Sequence, residues 1–255
     1  MNNLKRHPVL WYTVITVVLS FATYFLPLPL EQKSLLVPVL MVFIPTLVSI
    51  PMALVTEGRA GMRQMLSTAS LRRGGVKWLF IGAGLGALVR VIAWLIAILF
   101  RMPVKTDFSD PSAWFILLAT IPLALFEEIG WRSYALDRVL RTRSPLEASL
   151  LIGVPWGFLH LTILLPGMMS ESVPAIAQVG SVVLISIILT WTYVRSRHSL
   201  WAVTFLHGVQ NGLVVLNRGL SIVPASWLLF GSCLIMAVLL ILLDRRTFFA
   251  KPSVS

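Results

Sequence analysis

The 255-residue chain is 57% hydrophobic and 12% charged, with a formal net charge of +11 and a mean hydropathy of +0.87. Soluble domains are about half apolar and about a quarter charged, so this composition leaves too little polar surface to cover a water-soluble globule. The basic residues fall between apolar runs rather than along one face, so they read as topology signals facing anionic headgroups, and no nucleic-acid partner is expected.

The class is all-α: a polytopic membrane protein whose solvent is the lipid bilayer. Helices of about 20 apolar residues cross the hydrocarbon core, and eight are predicted, at 8–28, 35–55, 77–99, 112–136, 147–165, 173–194, 199–217 and 223–243. The first follows Lys5 and Arg6 but lacks a small-residue cleavage site and ends in FLPLPL, so it is expected to stay as a span. Pro38, Pro45 and Pro51 should kink the second. The stretch GRAGMRQMLSTASLRRGG that follows alternates basic and apolar residues, as a short helix on the inner leaflet or as a plain basic loop. Gly82, Gly84 and Gly86 in the third span, and Gly153 and Gly157 in the fifth, suit close helix packing. Arg90 in the third span either pairs internally or binds a substrate carboxylate. The fourth span is too long for a simple crossing, so its end should bend or reach the cytosol. His7 and His198, near span ends, are expected in solvent. Cys233 stands alone in an apolar run and excludes a disulfide. A single integral membrane domain, 1–255, is expected, with its motif-bearing core at about 112–217.

Orientation follows from the charges. With the first residues inside, the cytosolic segments hold 15 of the 21 Lys and Arg residues, among them Arg59, Arg63, Arg72, Arg73, Arg138, Arg141 and Arg143. The external loops hold 4: Lys33, Arg101, Lys105 and Arg218. Both termini should therefore be cytosolic.

A charge at membrane depth costs at least a few kcal/mol, so one that persists suggests function. Glu127, Glu128 and Arg132 lie near the end of the fourth span, His160 in the fifth, and His207 and Asn211 in the seventh. Glu128 and Arg132 are four residues apart and share a helical face, whereas Glu127 is rotated about 100° from Glu128. Arg132 should therefore hold Glu128, leaving Glu127 to project into the bundle as a general base; the alternative is a structural ion cluster. At about 1.5 Å per residue, His207 and Glu127 come out about 12–14 Å deep and His160 about 20 Å, so a cavity open to the cytosol can unite them. Carboxylate, imidazoles and amide suit water activation by Glu127 and His160, with His207 and Asn211 donating to an oxyanion. No cofactor is expected. The rival assembly is zinc held by Glu127, His160 and His207, but HExxH is absent and Asn is a poor zinc ligand.

The segments EEIGWR (Glu127 to Arg132), WGFLH (Trp156 to His160) and HGVQN (His207 to Asn211) resemble the EExxxR, [FW]xxxH and HxxxN motifs of the CPBP family. That family comprises type II CAAX prenyl endopeptidases and bacteriocin-processing or Abi proteins. The resemblance covers roughly 112–217 and includes the lead-in ILTWTYVRSRHSLWAV. It implies an eight-helix intramembrane protease, with Glu127 and His160 as the water-activating pair and His207 and Asn211 as the oxyanion pair. Glu128 and Arg132 match the family's second acid and its arginine. The EExGWR form looks like the bacterial branch, which implies the inner membrane and a membrane-associated peptide or protein substrate. A catalytically dispensable scaffold or immunity factor using the same fold is the alternative. Trp131 and Trp156, beside the motifs, are expected to pack.

Overall fold

A computed structural model describes residues 2–104, 109–168, 170–213 and 219–251, and every regular element among them is helical. In chain order these are α1 (Asn2–Arg6), α2 (Pro8–Tyr24), α3 (Leu30–Ser67), α4 (Val76–Leu99) and α5 (Pro111–Glu128). A π-helical segment (Ile129–Leu136) carries α5 into α6 (Asp137–Val139). Then come α7 (Pro145–Leu159), a 3₁₀ turn (His160–Leu164), α8 (Ala175–Arg195), α9 (Leu200–Gly212), α10 (Ile222–Leu243) and α11 (Arg245–Phe248).

Among the described residues six segments are long and apolar enough to cross a membrane: Leu30–Ser67, Val76–Leu99, Pro111–Val139, Pro145–Leu164, Ala175–Arg195 and Ile222–Leu243. The expected first and seventh spans fall short, for different reasons. Helix α2 stops after 17 residues because Pro27 and Pro29 cannot continue it. Helix α9 has 13 described residues, most of them buried against protein rather than lipid. The predicted end of the seventh span at 214–217, with Lys105 and Arg218, lies outside the described residues.

The second span corrects the sequence reading. Helix α3 runs to Ser67, through Pro38, Pro45 and Pro51, and leaves helical backbone values only at Gly58 (φ 65°, ψ −152°). Only glycine tolerates such a conformation without strain. The first half of the basic stretch is therefore helical, about two and a half turns from 59 to 67 that swing off the membrane helix at Gly58, with Gly61 and Met65 buried and Arg59 and Arg63 exposed, and the rest, to 75, is largely turn.

Glycines set how closely helices approach the one that carries His207. A Cβ on Gly82 or Gly86 of α4 would overlap the carbonyl oxygens of Ala202 and Leu206 in α9. On its other side, Gly208 and Gly212 of α9 admit the backbone of α5 at Ile121 and Leu117. Gly153 and Gly157 do the same for α7 against α8. Gly84 has open space around it and takes no part. Overpacking costs about 1–3 kcal/mol. Gly86→Ala should therefore lower the melting temperature in detergent while Gly84→Ala leaves it unchanged or slightly higher; equal responses would refute the close approach.

One end of the bundle is laced by polar contacts, and it is the end to which the sequence assigns most Lys and Arg. Arg138 binds Glu57 at 2.5 and 3.1 Å, Gln64 donates to Asp137 at 2.8 Å, and the Trp201 indole donates to the Ala69 carbonyl at 2.7 Å. His198 is not left in solvent: its Nδ1 bonds Asp137 at 2.8 Å and its ring stacks on Tyr193 at 4.8 Å. Arg197 and His198 both hold positive φ (59° and 62°) in the tight turn that launches α9 from its cap Ser199.

Candidate active site

The first acidic motif lies where α5 changes register. After Glu128 the helix passes into the π segment, a form that concentrates at functional sites. Gly130 permits this: a Cβ there would lie 2.5 Å from the Pro45 backbone of α3. Beside it the Thr46 hydroxyl donates to the Phe126 carbonyl. The over-long end of the fourth span thus carries a π segment seated on a proline of α3.

Glu128 is fully buried between two partners. Arg132 Nε lies 3.1 Å from its Oε2 and Arg132 Nη1 3.3 Å from its Oε1. His207 Nδ1 lies 2.8 Å from the same Oε1. The Arg132 pairing is the one expected from spacing. The His207 bond, between residues 79 apart in sequence, is not, and it links the supposed oxyanion histidine directly to the supporting pair. Arg132 also reaches Ser186 of α8 at 3.5 Å.

Glu127 sits on the other side of Trp156. The Trp156 indole N–H donates to Glu127 Oε2 at 3.1 Å, and the Trp156 carbonyl accepts from His160 Nδ1 at 2.7 Å. The Trp156 ring packs under the Arg132 guanidinium (4.3 Å) and edge-on to His160 (5.8 Å) and His207 (5.4 Å). One buried tryptophan therefore bonds Glu127 and His160 while contacting Arg132 and His207. Sequence reasoning left Trp156 as packing; only the direction of its N–H reveals the second job.

His160 lies at the end of α7, opening the 3₁₀ turn, and is half-buried. Because a carbonyl can only accept, His160 Nδ1 carries the proton and Nε2 is left as the basic atom. Glu127 lies within electrostatic reach of both His160 and His207. Asn211 stands one turn beyond His207 on α9, half-buried. The adjoining Gln210 carbonyl accepts from Arg90 Nε at 2.6 Å, so Arg90 braces the end of α9. Among the described residues no group of three or more His, Cys, Asp or Glu side chains is placed to hold a metal ion, the set Glu127, His160 and His207 included. Cys233 is buried and free.

Fold and site together define a polytopic all-helical membrane protein with acids and imidazoles gathered around one buried tryptophan. Comparison with known proteins relates this chain to a family by similarity. Residues 109–213 match the family described as type II CAAX prenyl endopeptidase Rce1-like. The chain is also 29% identical over 157 residues to CAAX prenyl protease 2 of Methanococcus maripaludis, covering 58% of this chain and 54% of that protein. The matched segment, 109–213, holds all three motifs, and it is there that the chain is similar to this CAAX prenyl endopeptidase family. The chain spans about half the length of the curated relative it matches.

Proposed function

We propose that the protein is an intramembrane endopeptidase that hydrolyses a peptide bond of a membrane-associated peptide or protein. The observation that carries this reading is the junction at Trp156, which joins Glu127 to His160 while Glu128 holds His207. A water between Glu127 and His160 Nε2 gives up a proton to them as its oxygen attacks the substrate carbonyl. The oxyanion accepts hydrogen bonds from His207 Nε2 and the Asn211 amide, in a dry site where such bonds act strongly. Since His207 Nδ1 is engaged by Glu128, donation from Nε2 requires both ring nitrogens to be protonated, and the Glu128 carboxylate supplies the counter-charge. Collapse of the tetrahedral intermediate breaks the C–N bond, and the departing amine takes up the proton held by Glu127 and His160.

The name of the Methanococcus relative, CAAX prenyl protease 2, suggests a prenylated carboxy-terminal substrate. The bacterial form of the first motif favours peptide maturation or immunity at an inner membrane. Matched peptides with and without a prenyl chain separate these.

The donor set favours metal-free chemistry, because an amide beside His207 is a poor zinc ligand and a good oxyanion donor. Turnover by purified protein should be unchanged in excess strong chelator. Loss of activity on chelation, restored by zinc, would overturn this form of the mechanism. The Trp156 bond has its own test. Trp156→Phe keeps an aromatic ring beside Arg132 and both histidines but deletes the N–H. It should lower kcat about tenfold, the worth of one hydrogen bond to a charged group, with KM little changed. An unchanged kcat would return Trp156 to packing alone.

A further inference from the structure

We propose that an outward-facing groove between α2 and α3 binds one acyl chain of an anionic membrane phospholipid, with the headgroup held by Lys5 and Arg6. The groove has a volume of about 320 Å³ and no charged residue in its lining. Leu4 of α1, Ile15 and Leu19 of α2 and Leu47, Pro51 and Val55 of α3 form its walls. The α3 residues recur every four positions and make one continuous stripe; Leu47 is 63% and Val55 50% exposed. Its floor is Val48 and Met52, which belong to the same buried core as Tyr12 and Trp131.

Three features select the occupant. The bundle lies in a bilayer, so an exposed apolar channel on its flank is filled by lipid. Its length lies within one leaflet: from Leu47 to Val55 is about 12 Å at about 1.5 Å per residue, and half the hydrocarbon core is about 15 Å. Its mouth is basic. Lys5 and Arg6 follow the wall residue Leu4 directly, both are exposed, and among the described residues neither forms an ion pair. A second copy docked symmetrically on this face would bring the basic pairs of both chains to the same level, where like charges repel. A phosphate neutralises them instead.

The experiment titrates delipidated full-length protein with phosphatidylglycerol or phosphatidylcholine of identical chains, in detergent and without any peptide. Bound lipid is counted by native mass spectrometry and the melting temperature is followed in parallel. Phosphatidylglycerol should bind roughly twenty-five-fold more tightly, about fivefold for each basic residue. Lys5→Gln with Arg6→Gln should bring it down to the phosphatidylcholine level. Val55→Trp, or Leu47→Trp should the first unfold, should block both lipids by filling the groove from an exposed position. Equal binding of the two lipids, or full phosphatidylglycerol binding by a folded groove variant, would overturn the proposal. So would a groove variant that loses a dimer instead of a lipid. No turnover enters the measurement, so its failure leaves the peptidase reading intact, and the reverse.

Discussion

Glu127→Gln should reduce peptide hydrolysis by about 10²–10⁴-fold while the protein folds as before. The amide has the shape of the carboxylate and can still accept the Trp156 N–H through its oxygen, so the packing around the indole survives. What disappears is the charge that draws a proton from water. His160→Gln should fall in the same range, because it removes the basic Nε2 left free when Nδ1 bonds the Trp156 carbonyl. If the two residues act on one water, the double variant should be little worse than either single one. Turnover measured beside helical content and melting temperature separates this loss from unfolding. Full activity in Glu127→Gln would make Glu127, Glu128 and Arg132 a structural ion cluster, and full activity in His160→Gln would remove His160 from water activation.

The second large effect is on stability. Arg132 is fully buried, pairs with Glu128 through two nitrogens and lies over the Trp156 ring. Arg132→Met should cost about 3–5 kcal/mol, because it leaves the Glu128 carboxylate buried with His207 as its remaining bonded partner. Combining it with Glu128→Gln removes the uncompensated charge and should recover much of that stability. Activity should not recover, since the counter-charge that keeps both nitrogens of His207 protonated is gone. A double variant no more stable than Arg132→Met would show that the loss comes from packing against Trp156 and α8 rather than from the charge.

Six of the eight expected spans were legible as long apolar runs, and the polar residues were legible because a charge or imidazole inside such a run is conspicuous. Glu128 and Arg132 could be paired from their spacing alone, because a helix fixes the geometry of residues four apart. The His207–Glu128 bond could not, since it depends on how α9 is threaded between α4 and α5. The glycines that allow that threading were visible, but spacing did not separate Gly82 and Gly86, which face α9, from Gly84, which faces open space. The π segment was hidden for a similar reason: it depends on Gly130 meeting Pro45, two residues with no local relation. Trp156 was missed because a membrane tryptophan ordinarily packs, and its hydrogen-bond direction is set by tertiary structure. His198 looked like a solvated span-end residue, and only the fold brings Asp137 to it.

If the proposed function holds, the cluster around Trp156 breaks peptide bonds. The most direct measurement incubates detergent-purified wild type and Glu127→Gln with a panel of membrane-associated peptides, prenylated and not, and weighs the products by mass spectrometry. At least one peptide should be cut at a single bond by the wild type, with product reduced at least a hundredfold in Glu127→Gln. Equal cleavage by both proteins, or no cleavage while Glu127→Gln fully replaces the wild type in cells, would contradict it.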